Sequence, residues 1–178
     1  MLLSILSSPL VSISAIAVVI SDPGNPFFVK ERLGNNGKTF KIVKIRTMRK
    51  EGDHTSWTKD KDDRIFAAGK VIRKLRFDEL PQFWNVLRGD MAIVGPRPET
   101  PVIAEGLAEE VPFYNLRMKV KPGITGWAQL NWGYDRTIED VKMKLSYDLF
   151  YIKNRSIMFD LRIMLQTIET MLLGKGAK

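Results

Sequence analysis

The chain contains no cysteine and a single histidine, His54. Disulfides, thiolate nucleophiles and cysteine-based zinc sites are thereby excluded, and a histidine metal cluster cannot be assembled. Any bound metal must rest on oxygen ligands, which suits magnesium, calcium or manganese. Charge is also missing from the start of the chain. Asp22 is the first charged side chain and Lys30 the first cation. Neither the P-loop pattern nor the dinucleotide-binding glycine fingerprint occurs.

What is present fits one compact unit. The 178 residues are 44% hydrophobic and 27% charged, an ordinary globular mixture that argues against disorder. The formal net charge of +8 suits a polyanionic partner: nucleic acid, an anionic bilayer or a phosphate-rich substrate. The opening run Met1 to Ile20 consists of Leu, Ile, Val and Ala diluted by serine. As a helix it would reach roughly 30 Å, about one bilayer core. A cleaved signal peptide is the weaker reading, because no Lys or Arg precedes the run and apolar residues continue beyond Ala15-Ile16-Ala17. Within the run, Ser7-Ser8-Pro9 predicts a kink, since proline removes a backbone donor and clashes with the carbonyl of Ile5. Serine hydroxyls are able to satisfy the freed backbone groups. From these residues alone an ordinary kinked span is favoured, and the basic remainder places the C-terminal side in the cytoplasm.

After Asp22-Pro23-Gly24, the segment Phe27 to Arg46 predicts a β-hairpin. Phe27, Val29, Phe40 and Ile42 supply its apolar positions, and Asn36-Gly37 suits a type I′ turn. Residues Glu51 to Asp63 are polar and read as a loop. A short helix is expected over Phe66 to Leu75 with Val71, Ile72 and Leu75 inward, and another from Asp78 to a stop at Gly89. Pro96 and Pro98 mark one extended loop, and Pro122-Gly123 with Gly126 a second. The apolar spacing of Met158, Leu161, Leu165, Ile168 and Leu172 predicts a last helix, either core or interfacial, with Gly174 beyond it.

The densest chemical signal is Arg73-Lys74-Leu75-Arg76-Phe77-Asp78-Glu79-Leu80-Pro81-Gln82. Two adjacent carboxylates follow three cations at a predicted helix start. Cations and helix dipole both favour an ionised carboxylate, which is able to attack phosphorus or hold a divalent ion. An Asp-Glu pair at such a place is far more often only a cap. In Gly95-Pro96-Arg97-Pro98-Glu99 the two prolines stiffen the backbone that presents Arg97, a guanidinium suited to phosphate oxygens. A solvated surface turn reads equally well. Lys119-Val120-Lys121-Pro122-Gly123-Ile124-Thr125-Gly126-Trp127 adds two cations and an aromatic to a glycine-punctuated loop that either cradles phosphate or simply turns.

These segments together resemble the bacterial sugar transferases, the monotopic polyprenyl phosphate phosphoglycosyl transferases. The resemblance runs through Phe28 to Gly34, Lys44-Ile45-Arg46-Thr47-Met48, Asp78 to Met91, Val94 to Glu99 and Lys121 to Gln129, nearly the whole chain. It implies an α+β, mainly helical fold with a kinked, re-entrant N-terminal membrane helix, a small β-hairpin and amphipathic interfacial helices. Residues 1–21 would form the membrane helix and 22–178 a catalytic domain on the cytoplasmic face of the inner membrane. The implied substrates are a UDP-sugar and polyprenyl (undecaprenyl) phosphate, with UMP released, Mg2+ as cofactor and no nucleic acid; pairing as a homodimer stays open. The resemblance makes Asp78 the nucleophile, and makes Glu79 the residue that helps hold magnesium, with Asp78 as its second candidate ligand. It places Arg97 near substrate phosphate, with Arg76 and Lys121 as further phosphate-binding candidates and Pro96, Pro98, Trp127 and Gln129 as substrate-loop candidates. Family members carry a few residues, one of them basic, ahead of the first helix; this chain starts within it, so positive-inside counting allows either N-terminal location. The competing expectation is a non-catalytic basic module that binds a membrane surface or nucleic acid.

Overall fold

The computed structural model describes residues 2–49, 63–133 and 137–173. Among these the fold is helical with two small sheets, the mainly helical α+β class that the resemblance implies. Helix α1 (Leu2–Ser21) runs with Pro9 inside it. Its two faces differ in what they meet. Val18 is fully buried against Ile45, Phe66 and Ile72, with Val11 and Ala15 packed beside it. On the other side Ile13, Ile16 and Ile20 are exposed although every one is apolar. The spacing of three and four residues within each set is the helical repeat itself. Among the described residues no helix is long and apolar enough to cross a membrane.

The hairpin forms as predicted: β1 (Phe27–Leu33) pairs antiparallel with β2 (Thr39–Ile45). Asn36 and Gly37 both adopt positive φ, at 54° and 73°, and the Lys38 amide donates to the Asn35 carbonyl across them. That is the expected type I′ chemistry, set within a five-residue connection, 34–38, rather than a two-residue loop. Arg46 ties the end of α1 to the hairpin by donating to both the carboxylate and the carbonyl of Asp22.

Helix α2 (Ala67–Lys74) buries Ile72. Val71 and Leu75, expected inward, are 58% and 46% exposed. Eight residues give one narrow inward stripe, and Gly69 and Ile72 occupy it. The helix expected from Asp78 to Gly89 is broken in two. A 3-10 turn (Phe77–Glu79) precedes α3 (Gln82–Leu87), which stops at Gly89 with φ 82° as foreseen. Asp78 falls inside that turn rather than at its cap; Arg76, in the left-handed region at φ 54°, starts the turn instead. The expected loop at Glu51 to Asp63 lies, but for Asp63, outside the described residues.

Strand β3 (Ala92–Val94) pairs in parallel with β4 (Gly123–Thr125), which lays the Pro96-Arg97-Pro98 segment against the Lys121 loop. The approach needs glycine: a Cβ on Gly123 would sit 2.1 Å from the Gly95 nitrogen. Helix α4 (Pro101–Glu110), a 3-10 stretch (Tyr114–Lys119) and α5 (Trp127–Asn131) follow. Helix α6 (Ile138–Asn154), not foreseen from the sequence, starts at a capping box of Thr137 and Asp140. The last helix, α7 (Ile157–Leu172), buries Ile163 with Val94 and Tyr151. The predicted repeat Met158, Leu161, Leu165 and Ile168 faces outward, 43% to 74% exposed.

Candidate active site

The Asp78-Glu79 pair sits on the short turn between α2 and α3, beneath β2 and beside the Pro96-Arg97-Pro98 segment. Strand β2 is locked there by Asn85 of α3, which is 1% exposed. Its side-chain oxygen accepts from the Val43 amide at 3.2 Å and its Nδ2 donates to the Lys41 carbonyl at 2.8 Å. One asparagine thus imitates a neighbouring strand and sets the height of Lys44 over the dyad.

Glu79 is the electrostatic centre. Its Oε1 accepts from Lys44 Nζ at 2.9 Å and from both terminal nitrogens of Arg97 at 3.2 Å. Arg76 stands 4.0 Å from Oε2. Burial alone would push the Glu79 carboxyl up, but Lys44 and Arg97 outweigh it and hold the group well below the usual carboxylate range. Asp78 behaves oppositely. Burial raises its pKa, and the negative Glu79 next to it raises it further, against the pull of Lys44, Arg73 and Arg97. Burial also lowers the Lys44 ammonium despite its carboxylate partner. Adjacent carboxylates with opposed shifts are what a site with two roles requires. Glu79 is a permanent anion that anchors cations, and half-buried Asp78 is a carboxylate whose charge burial disfavours.

Arg97 lies in the cluster, bonded to Glu79, with Pro96 and Pro98 buried on either side. Its charge is reinforced chiefly by Glu79. Arg76 is at the edge. Lys121 is exposed, its Nζ lying near Gly89, and it is not among the cations bonded to Glu79. Trp127 packs against Phe150 and Phe159, with Arg162 over its ring. Gln129 donates to the Ile124 carbonyl at 3.3 Å. The structure therefore gathers Asp78, Glu79, Arg97 and Arg76, and leaves Lys121, Trp127 and Gln129 outside that gathering.

Lys44, Glu99 and Arg117 belong to the same neighbourhood and were not singled out as site residues. Lys44 had a readable signal, because it continues the Phe40, Ile42 alternation and so places a cation on a partly buried face. Glu99 takes Lys144 at 3.2 Å, with Arg32 and Arg117 at 3.9 Å each. Burial works against its ionisation, but Lys144, Arg117 and Arg97 hold it below the ordinary range. Its partners come from β1, α6 and the 3-10 stretch, distances along the chain that no local motif spans.

Among the described residues no group of three acidic or histidine side chains is placed to hold a metal. Magnesium does not demand one. It keeps several waters and commonly uses one or two carboxylates plus substrate phosphate. Glu79 Oε1 is taken by three donors, whereas Oε2 has Arg76 at 4.0 Å. Oε2 and the Asp78 carboxylate are together a donor set of that kind.

The site is a partly buried carboxylate dyad ringed by cations, on a helical fold with an apolar first helix. The family model described as bacterial sugar transferase matches residues 1–174, and the chain belongs to that family. It is 43% identical over 175 residues to a UDP-N-acetylgalactosamine-undecaprenyl-phosphate N-acetylgalactosaminephosphotransferase of Aeromonas hydrophila, covering 97% of this chain and 41% of the relative. It is 41% identical over 180 residues to a UDP-glucose:undecaprenyl-phosphate glucose-1-phosphate transferase of Escherichia coli (strain K12), covering 99% and 39%. A protein of the same description from Caulobacter vibrioides is 37% identical, with 99% and 67% covered. The chain thus spans about two fifths of the first two relatives.

Proposed function

We propose that the chain transfers a sugar 1-phosphate from a UDP-sugar to polyprenyl (undecaprenyl) phosphate and releases UMP, in two steps through Asp78. The observation that carries this reading is the opposed electrostatics of the dyad. Glu79 is saturated by Lys44 and Arg97 on Oε1, while burial and the neighbouring Glu79 charge raise the pKa of the Asp78 carboxyl. A partly desolvated carboxylate beside several cations is a competent nucleophile toward a phosphorus centre whose oxygens those cations neutralise.

In the first step an Asp78 oxygen attacks the β-phosphorus, the bond from that phosphorus to the bridging oxygen breaks, and UMP departs with the electron pair. The enzyme then carries a phosphosugar ester on Asp78. In the second step a phosphate oxygen of the polyprenyl carrier attacks the same phosphorus and the Asp78–phosphorus bond breaks. The lipid diphosphate sugar leaves and the carboxylate is restored. Arg97 is presented toward the transferred phosphate, and Lys44 keeps Glu79 neutralised and in place. Asp78 and Glu79 Oε2 would hold a magnesium ion, which supplies charge neutralisation at the phosphate oxygens.

The apolar surfaces support contact with a bilayer, and the reading places that contact at the cytoplasmic face of the inner membrane. Ile13, Ile16 and Ile20 of α1 and Ile157, Met158, Leu165 and Ile168 of α7 are exposed in numbers that a soluble surface rarely carries. With Pro9 inside α1 and Val11, Ala15 and Val18 committed to the protein core, the first helix suits re-entry better than a free span, and amphipathic α7 suits an interfacial position. Incubation with labelled UDP-sugar and magnesium should leave label on Asp78, and Asp78→Asn should abolish both label and UMP. Lipid-linked product forming at the normal rate in Asp78→Asn overturns the reading. Steeply salt-dependent binding to vesicles or nucleic acid without any UMP would favour the binding-module alternative.

A further inference from the structure

The segment that presents Arg97 is held in an uncommon way. Pro96 and Pro98 have no N–H, so the segment must be fixed through its carbonyl oxygens, with donors supplied from elsewhere. The Gly123 amide donates to the Pro96 carbonyl and the Leu33 amide to the Glu99 carbonyl, both at 2.9 Å. The Arg97 carbonyl between them takes a side chain instead: Nη2 of Arg117 donates to it at 3.0 Å.

Arg117 has little freedom to do anything else. It is 6% exposed, and its partner Asp148, on α6, is 2% exposed. Nε and Nη2 reach Asp148 Oδ2 at 3.0 and 2.8 Å, and Nη1 donates to the Tyr114 hydroxyl at 2.8 Å. The planar fork satisfies the carboxylate along one edge while one of its nitrogens also meets the peptide carbonyl, a geometry that a lysine ammonium does not reproduce. A buried arginine hydrogen-bonded to three partners, with Glu99 Oε1 a further ionic neighbour at 3.9 Å, is a stiff support. The residue whose backbone it supports is the one whose guanidinium grips Glu79 at 3.2 Å. The proposed chemistry uses neither Arg117 nor Asp148, and neither touches the dyad.

We propose that Arg117, oriented by Asp148, is a positioning residue for Arg97: it fixes the backbone from which the guanidinium is aimed at Glu79 and the donor phosphate. The inference rests on the phosphate-binding role given to Arg97 above. Displacement of a phosphate clamp by about 1 Å costs on the order of 100-fold in rate, so a partial release should be visible in kcat with little change in KM. A purely structural ion pair would lower stability and the folded fraction, and its loss would not depend on which residue occupies position 97.

The experiment is a double-mutant cycle on the full chain in phospholipid nanodiscs, reading UMP release and thermal unfolding together. Arg117→Lys should lower kcat about tenfold with KM within about threefold. In an Arg97→Lys background the same change should lower kcat by less than about twofold, because the aim it sets is already lost. Asp148→Asn, which keeps the shape but not the charge of the anchor, should follow the same pattern and decides the matter if Arg117→Lys does not fold. Equal losses in both backgrounds, or an Arg117→Lys rate equal to the parent, would overturn the inference. A parent chain that releases no UMP would instead strike at the transferase reading itself, so the two failures are separable.

Discussion

Lys44→Met isolates the electrostatic design of the dyad. The Lys44 ammonium lies 2.9 Å from Glu79 Oε1. Two opposite charges at that distance attract by roughly 6 kcal/mol at an effective dielectric of about 20. Burial takes much of this back, enough to leave the ammonium below its ordinary pKa despite the carboxylate. Removing one partner of a buried pair typically costs about 3–5 kcal/mol. Glu79 retains Arg97 through two contacts at 3.2 Å, so the expected loss is smaller, about 2 kcal/mol, measurable as a lower denaturant midpoint at unchanged slope. The functional effect has a definite sign. In the proposed mechanism Asp78 attacks as the carboxylate, so activity should be lost as pH falls through its pKa, which is already raised. Lys44 pulls that pKa down; without it the acid limb of kcat/KM for UMP release should move to higher pH. Lys44→Arg should restore the limb. A limb that stays in place or moves to lower pH in Lys44→Met would refute this account of the site.

Other expectations follow from the same geometry. Val18→Ala removes two methyl groups from a fully buried position and should cost about 2–3 kcal/mol, while Ile16→Ser on the exposed side of α1 should leave stability within about 0.5 kcal/mol and weaken vesicle binding. Asp78→Asn removes a charge that burial and Glu79 disfavour, so this variant should unfold at a higher denaturant midpoint than the parent at neutral pH; a lower midpoint would contradict the raised pKa. Glu79 and Glu99 have depressed pKa values. Their stabilisation is therefore complete above roughly pH 4.3, the unfolded value, and is lost as pH falls below it, which acid titration of folding reads directly. Gly123→Ala places a Cβ 2.1 Å from the Gly95 nitrogen, and should separate β3 from β4, with reduced stability and reduced UMP release.

Elements with a strong local pattern were legible. The β-hairpin, its Asn36-Gly37 turn, the stop at Gly89 and the last helix all follow from residues within a few positions of each other. The failures share a cause. Asp78 reads locally as a helix cap, but the chain turns through left-handed Arg76 and forms a 3-10 turn instead, because the dyad is held by Lys44 and Arg97 from outside the segment. Val71 and Leu75 read as inward in an apolar stripe, and α1 and β2 offered that helix only enough surface to bury Ile72. Helix α6 went unread although Thr137 and Asp140 carry its capping box, because its buried positions Val141, Leu145, Asp148 and Tyr151 include an aspartate that breaks the apolar repeat.

The sequence by itself determined the inventory: no thiol, one histidine, a charge-free apolar start, a carboxylate dyad among cations and a guanidinium stiffened by two prolines. Those properties are carried by residue types and by spacings of one to four positions, where covalent geometry alone sets what is near what. Only the tertiary structure decided which cation meets which carboxylate. Lys44, Glu79, Arg97 and Arg117 are separated by 35, 18 and 20 positions. Their alignment depends on the packing of β2, the dyad turn, the β3–β4 pair and α6 together, and it is that packing which keeps one carboxylate ionised while it raises the pKa of its neighbour.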